Sequence, residues 1–102
     1  MPKLLVLYPP PTDAATFERR YRDEHGPLVH KNMKGMKRFV ASRVMGRADG
    51  GQAPYARVAE LYFDSMDDLN AAASSEGGKQ TVAHAVEIST GGPPIILVAE
   101  DD

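Results

Sequence analysis

Four clusters of glycine and proline cut this sequence into segments whose hydrophobic period changes at each cut: Pro9-Pro10-Pro11, Asp49-Gly50-Gly51, Gly77-Gly78 and Gly91-Gly92-Pro93-Pro94. No stretch between them is long enough to link two domains, and there is no internal repeat or extended low-complexity tract. The 102 residues are therefore read as one domain spanning the chain. A domain of this size buries only about two thirds of the surface its unfolded chain exposes, so a thin core and a need for a second copy are expected.

Lys3 to Tyr8 is a short apolar run bounded by prolines and reads as a central strand covered on both faces. Thr12 or Asp13 supplies an N-cap for a helix running to about Glu24, with Phe17, Tyr21 and His25 on one stripe. That helix has to end or bend at Gly26-Pro27, because proline has no N–H and crowds the carbonyl four residues back. Leu28 to Met33 continues for a further turn or two. Lys37 to Met45 and Tyr55 to Phe63 are the two strands of a hairpin around the Gly46 to Gly51 turn region. Ser65 caps a helix carrying Leu69 and Ala71 to Ala73. Gly77-Gly78 is read as a kink, followed by a helical piece from Lys79 to Ile88 with Val82, Ala85 and Val86 inward. Ile95 to Ala99 is a final apolar strand, buried on both faces.

The order strand, helix, strand, strand, helix, strand is that of an α+β, ferredoxin-like βαββαβ fold: a four-stranded antiparallel sheet with both helices on one face. Since its end strands read as apolar on both sides, the open face needs a cover, and a second copy is the simplest one.

Composition narrows the functional classes. With 42% hydrophobic and 25% charged residues the chain is an ordinary globular one, and the absence of cysteine removes disulfides, thiolate metal sites and a cysteine nucleophile. A net charge of -2 argues against generic nucleic-acid binding. The first apolar run is too short for a signal peptide or a membrane span, so a cytoplasmic location away from membranes is expected. Charge is uneven: residues 1–59 carry 11 basic and 5 acidic side chains, residues 60–102 carry 1 and 9. Two complementary halves explain this, as does a basic rim that attracts an anionic small molecule.

The segment Tyr21-Arg22-Asp23-Glu24-His25-Gly26-Pro27-Leu28-Val29 is the most informative. His25 lies on the apolar stripe just before a forced break, where it can serve as an acid/base group, bond a freed carbonyl and hold the bend, or ligate a metal or haem. His30 and His84 stand at no metal-ligand spacing from it, so no metal is expected, and His84 reads as a surface residue. Glu60 and Tyr62 share one face of their strand, with Arg57 on the other. The two charges need partners in a pocket or across an interface, Arg38 and Arg43 being available. No nucleophile elbow, phosphate loop or dinucleotide fingerprint is present.

Lys3-Leu4-Leu5-Val6-Leu7-Tyr8-Pro9, Phe17 to Tyr21, His25-Gly26-Pro27-Leu28-Val29, Gly35-Met36-Lys37-Arg38-Phe39 and Ala59-Glu60-Leu61-Tyr62-Phe63-Asp64-Ser65 together resemble EthD-domain proteins, over nearly the whole chain. Related sequences tend to have alanine where this one has Gly26. The resemblance implies a homodimeric α+β barrel with a small hydrophobic pocket between sheet and helices, and an association with degradation of xenobiotic ethers. Its superfamily spans cofactor-free monooxygenases, isomerases, cyclases, dehydratases and haem enzymes. The expectation is a small-molecule enzyme or accessory protein for an apolar aromatic or ether-type compound, requiring no cofactor. His25 is its acid/base or orienting residue, with Tyr21 beside it and Glu60 or Tyr62 reaching the pocket from the sheet. The alternative is a noncatalytic ligand-binding or stability module supporting a partner enzyme.

Overall fold

In β1 (Pro2–Tyr8) every second side chain is buried, which puts Leu4, Val6 and Tyr8 under the helices and Lys3, Leu5 and Leu7 on the opposite face. The computed structural model describes residues 1–102. It pairs β1 antiparallel with both β3 (Arg57–Tyr62) and β4 (Ile95–Glu100), while β2 (Arg38–Arg43) pairs with β3. The strand order β2-β3-β1-β4 makes β1 and β3 central, and all helices lie on one face. This is the ferredoxin-like fold. The hairpin strands are shorter than their sequence suggests, joined by residues 44–56.

The first helical arm decides where the site forms. Asp13 caps α1 (Ala14–Arg20), its carboxylate accepting from the Thr16 N–H at 3.1 Å. The chain does not break at Pro27. Tyr21–His25 widens into a π-helical turn, in which the Gly26 N–H bonds the Tyr21 carbonyl, and α2 (Gly26–Asn32) follows with proline in its first turn. Phe17, Tyr21, His25, Val29 and Met33 are all buried although they recur every fourth residue. A straight α-helix would carry each step of four about 40° too far, so by Met33 the stripe would have left the core. The wide turn takes up that excess, and it also spares the carbonyls that proline cannot serve. Gly26 is helical, at φ -54°, and a Cβ there would make an ordinary contact with the Tyr21 carbonyl at 3.6 Å, so this position does not require glycine.

The second arm corrects two sequence readings. The break falls at Ser75, which is extended, rather than at Gly77-Gly78. Ser65 caps α3 (Met66–Ser74), and Ser75 caps α4 (Glu76–Ile88) by accepting from the Gly78 N–H. Gly78 is there for closeness, because a Cβ would stand 2.0 Å from the Ala72 carbonyl oxygen. The inward face of α4 is Thr81, Ala85 and Ile88, whereas Val82 and Val86 are exposed. The one-residue error in phase came from favouring the valines over Thr81 and Ile88.

The edge strand β4 is also not buried on both faces within one protomer: Ile95, Ile96, Leu97 and Val98 are all exposed. With Leu5, Leu7, Val40 and Val58, Ile95 and Leu97 make the open face of the sheet largely apolar. No helix is long and apolar enough to cross a membrane.

Candidate active site

A small apolar cavity opens between the sheet and the helical arms, floored by Leu4, Val6, Tyr8, Ala59 and Leu61 and roofed by Tyr21, His25, Val29 and Ala85. Its volume is about 40 Å³. An aromatic ring occupies a cavity of roughly 150 Å³, more than this one offers as it stands. Val82 and Ile96, both exposed, also line it.

The polar groups of the cavity form one chain. The Tyr8 hydroxyl is 3.2 Å from His25 Nε2, His25 Nδ1 is 2.9 Å from His84 Nδ1, and His84 Nε2 is 3.1 Å from Glu24 Oε1. The two imidazoles lie 9° from parallel with centroids 5.2 Å apart, the separation of an in-plane N–H···N bond. Tyr8 and His25 are almost wholly buried, His84 is mostly buried and Glu24 reaches solvent, so the chain runs from the cavity to the surface.

Chemistry assigns the protons. Arg20, bonded to Glu24 at 3.0 Å, together with His84 holds the Glu24 carboxyl down to about 2, so it is an ionised acceptor. His84 Nε2 therefore carries the hydrogen and His84 Nδ1 accepts from His25 Nδ1–H. His25 Nε2 is left free to accept from Tyr8, whose hydroxyl stays protonated because burial raises its pKa. Burial, reinforced by His84, pushes the His25 imidazole down to about 4, which keeps it neutral at physiological pH.

His25 and Tyr21 occupy the same cavity, their rings 5.4 Å apart. Glu60 and Tyr62 do not reach it, and that expectation is corrected. Strand alternation turns Ala59 and Leu61 toward the helices and sends Glu60 and Tyr62 to the open face. There Lys3 bonds Glu60 at 2.9 Å and Tyr62 at 3.3 Å, so neither Arg38 nor Arg43 is the partner of Glu60. Arg57 lies on the helix side and pairs with Glu18. His30 packs edge-on against Phe39, far from the chain of bonds. His84 is no surface bystander, since it joins His25 to Glu24. Tyr8, His84 and Glu24 were not singled out from the sequence. The alternation Leu4, Val6, Tyr8 would have found the first, and the Thr81, Ala85, Ile88 phase puts His84 beside the inward stripe. Both ring nitrogens of His25 are engaged within the protein, and no three His, Cys, Asp or Glu side chains gather as metal ligands.

The EthD domain family model matches residues 9–87. An uncharacterized 11.0 kDa protein from the thcB-thcC intergenic region of Rhodococcus erythropolis is 29% identical over 101 residues, covering 99% of this chain and 96% of that one. The crystal structure of an EthD family protein from Bacillus halodurans superposes with a TM-score of 0.92 at 26% identity, over 100% of this chain and 99% of the other. A dimeric ferredoxin-like protein of unknown function from Jannaschia sp. shares the fold, with a TM-score of 0.72 at 14% identity and 98% of each chain covered.

The shifted histidine makes stability pH-dependent. Unfolded, His25 titrates at about 6.5, and folded at about 4, so between those values the unfolded chain binds more protons. The contribution of the neutral ring is complete above pH 6.5 and is lost as pH falls toward 4, by roughly 3 kcal/mol at its acid limit. Urea unfolding is expected to show stability falling through this window in the wild type and a flatter profile in His25→Gln. Equal slopes would contradict the burial of a neutral imidazole.

Proposed function

The chain belongs to the EthD domain family, and on that premise we propose that it is a cofactor-free acid–base protein acting on small apolar compounds of the aromatic or ether type. The observation that carries this reading is the directed chain Tyr8–His25–His84–Glu24, leading from an apolar cavity to a solvated carboxylate. A proton leaving a substrate C–H passes to the Tyr8 oxygen while the Tyr8 proton moves to His25 Nε2. His25 Nδ1–H then passes to His84 Nδ1, and His84 Nε2–H to Glu24. The substrate keeps the electron pair, each imidazole exchanges tautomer, and no free phenolate need form in a site that disfavours one. Once the chain holds that proton, the reverse passage returns it to another carbon or to an oxygen of the same substrate, and Glu24 is ionised again. Dry surroundings strengthen each of these bonds.

A second copy is proposed to cover the open face. Leu5, Leu7, Ile95 and Leu97 form an apolar surface there on a chain with a thin core, and the Lys3, Glu60 and Tyr62 network adjoins it. His25 and its cavity lie on the other side of the sheet, so each protomer keeps its own site.

Deuterium exchange tests the chemistry. In D2O, ring-sized carbon acids such as phenylacetone and indan-2-one are expected to lose their α-protons at least tenfold faster with wild type than with His25→Phe. Binding without faster exchange would favour the noncatalytic module instead. For the pairing, native mass spectrometry is expected to give twice 11.1 kDa for the wild type and 11.1 kDa for Leu97→Lys. A wild-type monomer would contradict it.

A further inference from the structure

Beside the cavity, on the same side of the sheet, lies an open cleft of about 450 Å³ bounded by Glu18, Tyr21, Arg22, Phe39, Arg43 and Arg57. Tyr21 and Phe39 line the cavity as well, so they form the partition between the two spaces. The charges of the cleft do not cancel. Arg57 is bonded to Glu18, and Arg22 to Asp23 at 2.9 Å, but Arg43 has no carboxylate within ion-pair distance. Cross-strand register sets Arg43 directly opposite Arg57 on the helix side, a like-charge pair that sheets ordinarily avoid.

The partition carries a second anomaly. The Arg57 side chain is only 11% exposed and its guanidinium lies over the Tyr21 ring, 4.4 Å from the centroid. The Arg57 Nε–H is buried without an acceptor, and so is the hydroxyl of Tyr21, a residue 4% exposed. A buried donor left unpaired is costly, and two side by side next to an unneutralised arginine form a site short of an acceptor. A carboxylate or phenolate supplies that acceptor, and arginine receives such oxygens through a fork of parallel N–H groups.

We infer that this cleft holds the acidic head group of the ligand, with Arg43 and Arg57 as its cationic walls and Tyr21 as the donor between cleft and cavity. The ligand class is then a small ring compound bearing one anionic group, its apolar part entering the cavity past Tyr21 and Phe39. This deepens the proposed function and rests on the cavity being the binding site. It also gives the basic residues 1–59 a use beyond balancing the acidic remainder. The cleft lies on the helix side, away from the face proposed to pair.

Two probes of one shape separate the possibilities: phenylacetate and the neutral phenylacetamide, titrated calorimetrically into the wild-type protein. Phenylacetate is expected to bind at least tenfold tighter, with the advantage shrinking to within about twofold in Arg43→Met and with rising salt. Arg43 makes no ion pair, so that variant leaves the fold's own bonds intact, and Arg57→Lys is expected to reduce the advantage while keeping the Glu18 pair. Equal affinities would overturn the head-group site and leave the cavity reading standing. A preference untouched by Arg43→Met would overturn its assignment to this cleft, and failure of both probes to bind would overturn the inference together with the reading beneath it.

Discussion

Pro27 cannot donate a backbone hydrogen bond and does not tolerate the carbonyl of a regular helix behind it, and much of the structure answers to that constraint. The chain meets it by widening Tyr21–His25 into a π turn instead of breaking. The extra residue rotates the arm so that a stripe repeating every fourth position stays on the sheet. His25 consequently points into the core beside Tyr8 and against α4, where His84 meets it. Proline, wide turn, buried imidazole and relay form one sequence of causes, and the energetic cost of placing polar groups there is offset because nearly all of them are bonded to one another.

Much of this was legible from the sequence. The Gly and Pro clusters mark the element order, the Asp13 and Ser65 caps mark two helix starts, and the Phe17, Tyr21, His25 stripe is the buried face of the first arm. The misreadings have separate physical causes. Where two apolar phases compete, as in Thr81 to Ile88, propensity cannot say which stripe the sheet will accept, so the valines masked His84. Glu60 and Tyr62 read as reaching the pocket from the sheet, although the charge of Glu60 finds a partner equally well in a pocket or across an interface. That partner, Lys3, comes from a neighbouring strand whose pairing is set by the tertiary fold. Ser75 is extended because it caps α4, a serine signal overshadowed in the sequence by the adjacent Gly77-Gly78 pair.

The polar residues divide by depth in a way that suits two tasks. The chain of bonds is neutral at its cavity end and finishes on an ionised carboxylate where Glu24 meets solvent, with Arg20 and Glu87 beyond it. Across Tyr21, the cleft is charged and its donors are only partly satisfied. A ligand spanning both would meet a fixed charge at one end and a mobile proton at the other, the combination that acid–base chemistry on an apolar skeleton requires.

Nitrogen-detected NMR of the histidine rings tests the central claim most directly. His25 is expected to remain neutral well below pH 6, and at neutral pH to carry its hydrogen on Nδ1 while His84 carries its own on Nε2. A His25 that titrates like a free imidazole near pH 6.5, or that carries its hydrogen on Nε2, would break the chain at its centre and with it the proposed chemistry.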